Sequence, residues 1–145
     1  MKTVVFLRIA SVLTLIHSVL HTIGGVFGKP VNAAAAAVAA NMRTPFPVLG
    51  VTRSYSDFYL GMGLAVTIFL TMDAALLWVL SNMARTDGVR LRPLIFLFAF
   101  GYLAFAADSY LLFFSLPVIT ELLIAGFLIA AGLTAGAANT VESNA

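Results

Sequence analysis

Four stretches of the chain, residues 4–26, 59–81, 93–115 and 117–137, are almost free of charge, and nothing else in the sequence restricts its fold as much. Crossing the roughly 30 Å hydrocarbon layer of a bilayer takes about 20 apolar residues at about 1.5 Å rise each, so each stretch has the length of one pass. With 61% hydrophobic and 10% charged residues and a mean hydropathy of +1.04, the composition lies outside the range of ordinary soluble domains. An open sheet cannot satisfy its backbone in lipid. The expectation is an all-α fold, an integral membrane four-helix bundle, with residues 1–145 forming one domain.

Cysteine is absent, which removes disulfides, thiolate nucleophiles and iron–sulfur ligation. Eight basic and six acidic residues give a net charge of +2 without a basic stripe, so a nucleic-acid partner is not expected. Lys2 and Arg8 ahead of an apolar run resemble the start of a secretory signal, but His17 and His21 interrupt that run and argue for a retained helix. Lys2, Arg8, Arg85, Arg90 and Arg92 fall on one side of the expected topology, and Lys29, Arg43 and Arg53 on the other. This excess places both termini in the cytoplasm and the protein in the cytoplasmic, or inner, membrane.

The connection between the first two passes is too long for a simple link. Its alanine run at residues 33–40 follows Asn32 and predicts a short helix capped by that residue, lying over the outer mouth of the bundle like a lid. Pro45 and Pro47 end it. Ser115, Leu116 and Pro117 make a tight junction between the last two passes, and the polar tail after residue 138 is expected to fray.

Six ionisable groups sit in or beside the apolar stretches: His17, His21, Asp57, Asp73, Asp108 and Glu121. At about 100° per residue, Ser11, Thr14, His17, Ser18, His21, Thr22, Gly25 and Gly28 share one side of the first helix. Asp108 falls with Gly101 and Ala104, and Glu121 with Ala125, Gly132 and Gly136. Small residues let helices approach closely in lipid, so these faces are expected to form the interior. All but Asp73 map to the outer half of the bundle. Intramembrane ionisable groups either pair to lock the structure or mark a functional site, and both readings stand. In the functional one, His17, His21, Asp108 and Glu121 form an outward-facing catalytic centre in which an imidazole and a carboxyl exchange a proton. Histidines four apart can share a cation, but no third ligand has a diagnostic spacing, so no metal is expected; haem is disfavoured because both histidines lie on one helix. No cofactor is specified.

The stretch "RSYSDFYLGMG", Arg53 to Gly63, with "HTIGG" upstream, resembles a family of small, uncharacterised bacterial four-helix membrane proteins that carry an RSYxDFYxG-type motif. That resemblance supports the topology and implies no activity. In the motif, Arg53 and Asp57 suit a local ion pair or helix-start anchor, and Tyr55 and Tyr59 an interfacial belt. Together with Asp73 they are the candidate ligand-binding residues. In architecture the chain also resembles DoxX-like proteins and the sterol-isomerase family, the latter implying a membrane cavity with carboxylates for a lipophilic substrate. The leading expectation is thus a membrane protein, in contact with lipid, that binds a lipophilic small molecule in an outward-facing pocket lined by His17, His21, Asp108 and Glu121 and covered by the segment from Pro30 to Asp57. The alternative is a non-enzymatic subunit whose glycine faces, including Gly132 and Gly136, dock to another copy or to a larger membrane complex.

Overall fold

The computed structural model of the chain describes residues 1–135. Gly136, the end of the expected fourth helix and the polar tail lie outside the described residues. The secondary structure is almost entirely helical: α1 Lys2–Leu20, continued by a π-helical turn His21–Val26, then α2 Ala33–Asn41, α3 Tyr55–Leu112 and α4 Ser115–Thr134. A two-stranded antiparallel hairpin, β1 Phe46–Val48 and β2 Val51–Arg53, interrupts the helices. Three helical stretches, Lys2–Val26, Tyr55–Leu112 and Ser115–Thr134, are long and apolar enough to cross a membrane.

Helix α3 is longer than any single pass requires, and its one interior residue outside helical geometry is Asp87, at φ −121° and ψ 32°. Hydropathy predicts a loop around this residue. Hydrogen bonding instead remains helical on both sides, and the chain turns at one residue. Asp73 and Tyr102, on opposite sides of Asp87, line one cavity, which a straight helix rising about 1.5 Å per residue would not allow. The halves of α3 are called its first limb, residues 55–86, and its second limb, residues 88–112.

The described chain divides into two compact units, one formed by Met1–His17 with residues 71–135, the other by Ser18–Leu70. In the first, four helical segments share a core of Leu7 and Ala10 from α1, Ala74 and Leu77 from the first limb, Ile95, Ala99, Tyr102 and Ala106 from the second, and Ile124, Leu128 and Ala131 from α4. Spacings of three and four, as in Ile95, Ala99, Tyr102, Ala106 and Ser109, mark a single buried stripe along a helix. Hydrogen bonds join these segments: Ser11 Oγ donates to the Ala74 carbonyl at 2.7 Å, and Thr3 and Thr134 share one at 3.0 Å. Each such bond contributes about 1 kcal/mol to holding the segments together. Gly132 is buried where an added Cβ would lie 2.8 Å from Phe96 Cζ.

The second unit is built from short-range devices. Asn32 caps α2, its side chain accepting from the Ala35 amide at 2.8 Å. Leu49 and Gly50, both at positive φ (46° and 83°), make the two-residue turn of the hairpin, whose twist matches the strands it joins. Phe46 packs its ring against Tyr55 and Phe58, with centroids 4.9 and 6.2 Å apart. The hairpin escapes the hydropathy pattern because each strand is only three residues long.

Candidate functional site

In the first unit, α1 presents Thr14 and His17 from its buried side, because both fall on the stripe that begins with Leu7 and Ala10. His17 Nε2 lies 3.8 Å from Glu121 Oε1, and Ser109 Oγ donates to the same oxygen at 3.0 Å. The second carboxylate oxygen, Glu121 Oε2, is buried and has no hydrogen-bond partner among the described residues. Glu121 is only 4% exposed, so the structure brings these two predicted residues together in a closed environment.

Asp108 does not join them in the way its helical face predicts. It is exposed, as are Gly101 and Ala104, while the neighbouring stripe of Tyr102, Ala106 and Ser109 is buried. Packing prefers the stripe that carries the large Tyr102 side chain. The small residues fall one position off it and face outward.

Asp73, half-buried on the first limb, opens onto a cavity of about 320 Å³. Tyr102 and the side chains of Leu94, Leu97, Phe98 and Phe105 on the second limb also line it. The Tyr102 hydroxyl donates to Thr14 Oγ1 at 3.2 Å. Thr14 is thereby joined to Tyr102, which with Asp73 is among the residues that line the cavity. Asp73 and Thr14 are singled out in the sequence, whereas Tyr102 is not. The available signal is a tyrosine on a 3–4 apolar stripe, since a buried Tyr hydroxyl usually finds a partner.

The remaining predicted residues lie in the second unit. His21 Nε2 donates to the Gly63 carbonyl at 3.1 Å, which requires the proton on Nε2. Thr22 and Thr67 share a hydrogen bond at 2.9 Å, Ser18 Oγ donates to the Thr67 carbonyl at 3.2 Å, and Tyr59 OH donates to the Gly25 carbonyl at 3.3 Å. These bonds fasten the end of α1 and its π turn to the start of α3. The approach is close: a Cβ on Gly63 would lie 2.9 Å from Val26 Cγ2. Gly61, by contrast, faces open space.

At the start of α3, Asp57 acts as a helix anchor. Its Oδ2 accepts from both the amide and the hydroxyl of Ser54, each at 2.8 Å, and its own amide donates to Ser54 Oγ at 3.3 Å. This reciprocal pattern is a capping box with Asp in the third helical position. Arg53 directs Nη1 to the Thr52 carbonyl at 2.9 Å. Tyr55 is exposed, with one ring contact to Phe46.

Among the described residues no group of three or more His, Cys, Asp or Glu side chains could hold a metal ion. No protein-family model, curated protein or solved structure matches this chain.

Proposed function

We propose that this chain is a four-pass protein of the bacterial cytoplasmic membrane, with both termini in the cytoplasm, that binds a lipophilic small molecule in the cavity beside Asp73. The observation that carries the reading is that cavity: about 320 Å³, walled almost entirely by the apolar surface of leucine and phenylalanine side chains, with Asp73 and Tyr102 among its lining residues. Small-molecule sites have this character, mostly apolar with a few polar groups that fix orientation. Its volume is at the lower end of the range of about 300–1,000 Å³ usual for such sites. The helix lengths and hydropathy support the membrane setting.

His17 and Glu121 supply the proton-transfer part of this reading. They are the one histidine–carboxylate pair within 4 Å among the described residues; at 3.8 Å the pair is suited to electrostatic pairing, and passing a proton between them requires closer approach or one bridging water.

Gly101 offers a clean test, because it lines the cavity and an added Cβ there meets nothing within 4 Å. Gly101→Phe should fill the cavity without disturbing the fold. Native mass spectrometry of protein extracted gently from its own membrane should then show a discrete bound mass in the parent and none in the variant. The same bound mass in both, or none in either, would refute the cavity as a ligand site.

A second reading, docking as a subunit of a homo-oligomer or larger membrane complex, is favoured by Gly126. That residue is exposed on α4, and a Cβ added to it would meet nothing within 4 Å, so it could admit a second helix closely. Gly132 does not serve this role, being occupied by Phe96 of the same unit. Gly126→Leu should release the chain from such an assembly on a native gel, and an unchanged solitary species would remove the reading.

A further inference from the structure

Arg8 stands inside the first membrane-length helix, Lys2–Val26, about 9 Å of helix beyond Lys2 at about 1.5 Å per residue. Among the described residues no carboxylate lies within 4 Å of it; the one ion pair at that range is His17 with Glu121. A guanidinium keeps its charge and has five N–H donors. Of the Arg8 nitrogens, only Nη2 has a hydrogen-bond partner among the described residues, Asn82 Oδ1 at 3.3 Å, and Nε is buried without one. The group is nevertheless held in place, for Cζ lies 5.0 Å from the centroid of the Trp78 ring, a cation–π distance. A neutral amide and a neutral ring thus orient the charge, and neither neutralises it.

We propose that Arg8, Asn82 and Trp78 form a binding site for the phosphate group of an anionic phospholipid in the cytoplasmic leaflet. The inference rests on the membrane setting proposed above and is independent of the Asp73 cavity. Charge is the first argument: a cation within an apolar span needs an anionic or hydrated partner, and a phosphate accepts parallel N–H bonds from a guanidinium fork. Depth is the second. Cα–Cβ bonds tilt toward a helix N-terminus, which for α1 is the end assigned to the cytoplasmic side. From there a long arginine side chain reaches the headgroup layer while its stem stays in hydrocarbon.

The exposed surface beside the guanidinium favours a lipid over free phosphate. Trp78 is exposed, and its amphipathic ring suits the headgroup level. Val12, one turn along α1 from Arg8 on the same face, is exposed too. An acyl chain lying along Val12 and Trp78 buries apolar surface that a soluble anion leaves open. Diacylglycerol would offer the same chains with nothing to pair with Arg8.

The test uses the full chain reconstituted in phosphatidylcholine bilayers, with Trp78, the single tryptophan of the sequence, as the reporter. Phosphatidylglycerol, phosphatidylcholine or diacylglycerol with dibrominated chains is added at equal fractions, and quenching of Trp78 fluorescence gives their relative occupancy of the site. Phosphatidylglycerol should bind about fivefold more strongly than phosphatidylcholine, the factor expected for one arginine at an anionic lipid, and diacylglycerol should bind least. Arg8→Gln should remove these differences while quenching by phosphatidylcholine persists. Inorganic phosphate in excess should leave the preference intact; its loss would overturn the lipid source and assign the site to free phosphate. Equal quenching by the three lipids in the parent, or a preference that survives Arg8→Gln, would overturn the proposal and leave the membrane setting standing. No quenching by any of them would overturn the proposal, and quenching by aqueous iodide in its place would overturn the membrane setting as well. Should Arg8→Gln fail to insert, Arg8→Lys keeps the charge without the fork and should show a smaller preference for phosphatidylglycerol; an undiminished one would overturn the guanidinium's role.

Discussion

Replacing Leu128 by alanine separates the interior of the first unit from its surroundings. Leu128 is 0% exposed, and Leu123 on the same helix is 50% exposed. In a water-soluble host, a buried Leu→Ala change costs about 2.7–5.0 kcal/mol, combining lost transfer energy with the cavity left behind. The substitution removes three carbon atoms, at about 0.8 kcal/mol each, or roughly 2.4 kcal/mol of transfer energy. If the chain spans a bilayer, as proposed above, that part cancels, because leucine on a separated helix remains in hydrocarbon. The remaining cost for Leu128→Ala is about 0.3–2.6 kcal/mol, from lost packing alone. Leu123→Ala should lie within about 0.5 kcal/mol of zero. Reversible unfolding in lipid bicelles, followed by steric trapping, would measure both. Equal losses above about 0.5 kcal/mol at the two positions would refute the assignment of inner and outer sides, and a loss at Leu128 above about 4 kcal/mol would refute the cancellation of the transfer term and with it the bilayer setting.

Gly132→Ala should destabilise the protein by about 1–3 kcal/mol, the usual range for overpacking, because its Cβ would meet the Phe96 ring; Gly126→Ala should be neutral or slightly stabilising. The same bicelle assay compares them, and Phe96→Leu should relieve the first defect. Ser54→Ala removes the capping box at Asp57 and should cost about 1 kcal/mol, seen as faster amide exchange in the first turn of α3 with later turns unaffected. Leu49→Asn places a residue tolerant of positive φ in the hairpin turn and should slow amide exchange in β1 and β2; faster exchange would mean that the leucine side chain itself holds the hairpin. Ser109→Ala removes a donor from buried Glu121 and should cost about 1–3 kcal/mol, read as a lower midpoint in thermal unfolding.

Several parts of the site are legible in the sequence. The polar stripe of α1 carries Thr14 and His17 on the buried side, and the face of α4 with Glu121, Ala125 and Gly132 is buried as its small residues imply. Asp57 is identifiable as a helix-start group because it lies beside the motif serines and tyrosines at the head of an apolar run. Its partner Ser54 follows from the three-residue spacing of the capping box. Asp108 misleads because Gly101 and Ala104 share its face. The small-residue rule marks surfaces able to pack closely, and here the Tyr102 stripe takes the buried position. The hairpin is not legible because proline and glycine identify a turn without showing that its flanks pair.

Where long helices form, and how apolar they are, can be read from the chain alone, because both depend on local propensity and on about 1.5 Å of rise per residue. The same holds for which ionisable groups must be accommodated along those helices. Which of those groups meet is a matter of tertiary packing. His17 and Glu121, like Asp73 and Tyr102, are distant in the chain and are brought together through packing and the turn at Asp87. Packing likewise selects the apolar stripe that faces inward. A lipid environment and a protein interior are alike in polarity, so hydropathy leaves that choice to side-chain shape and to the hydrogen bonds that packing permits.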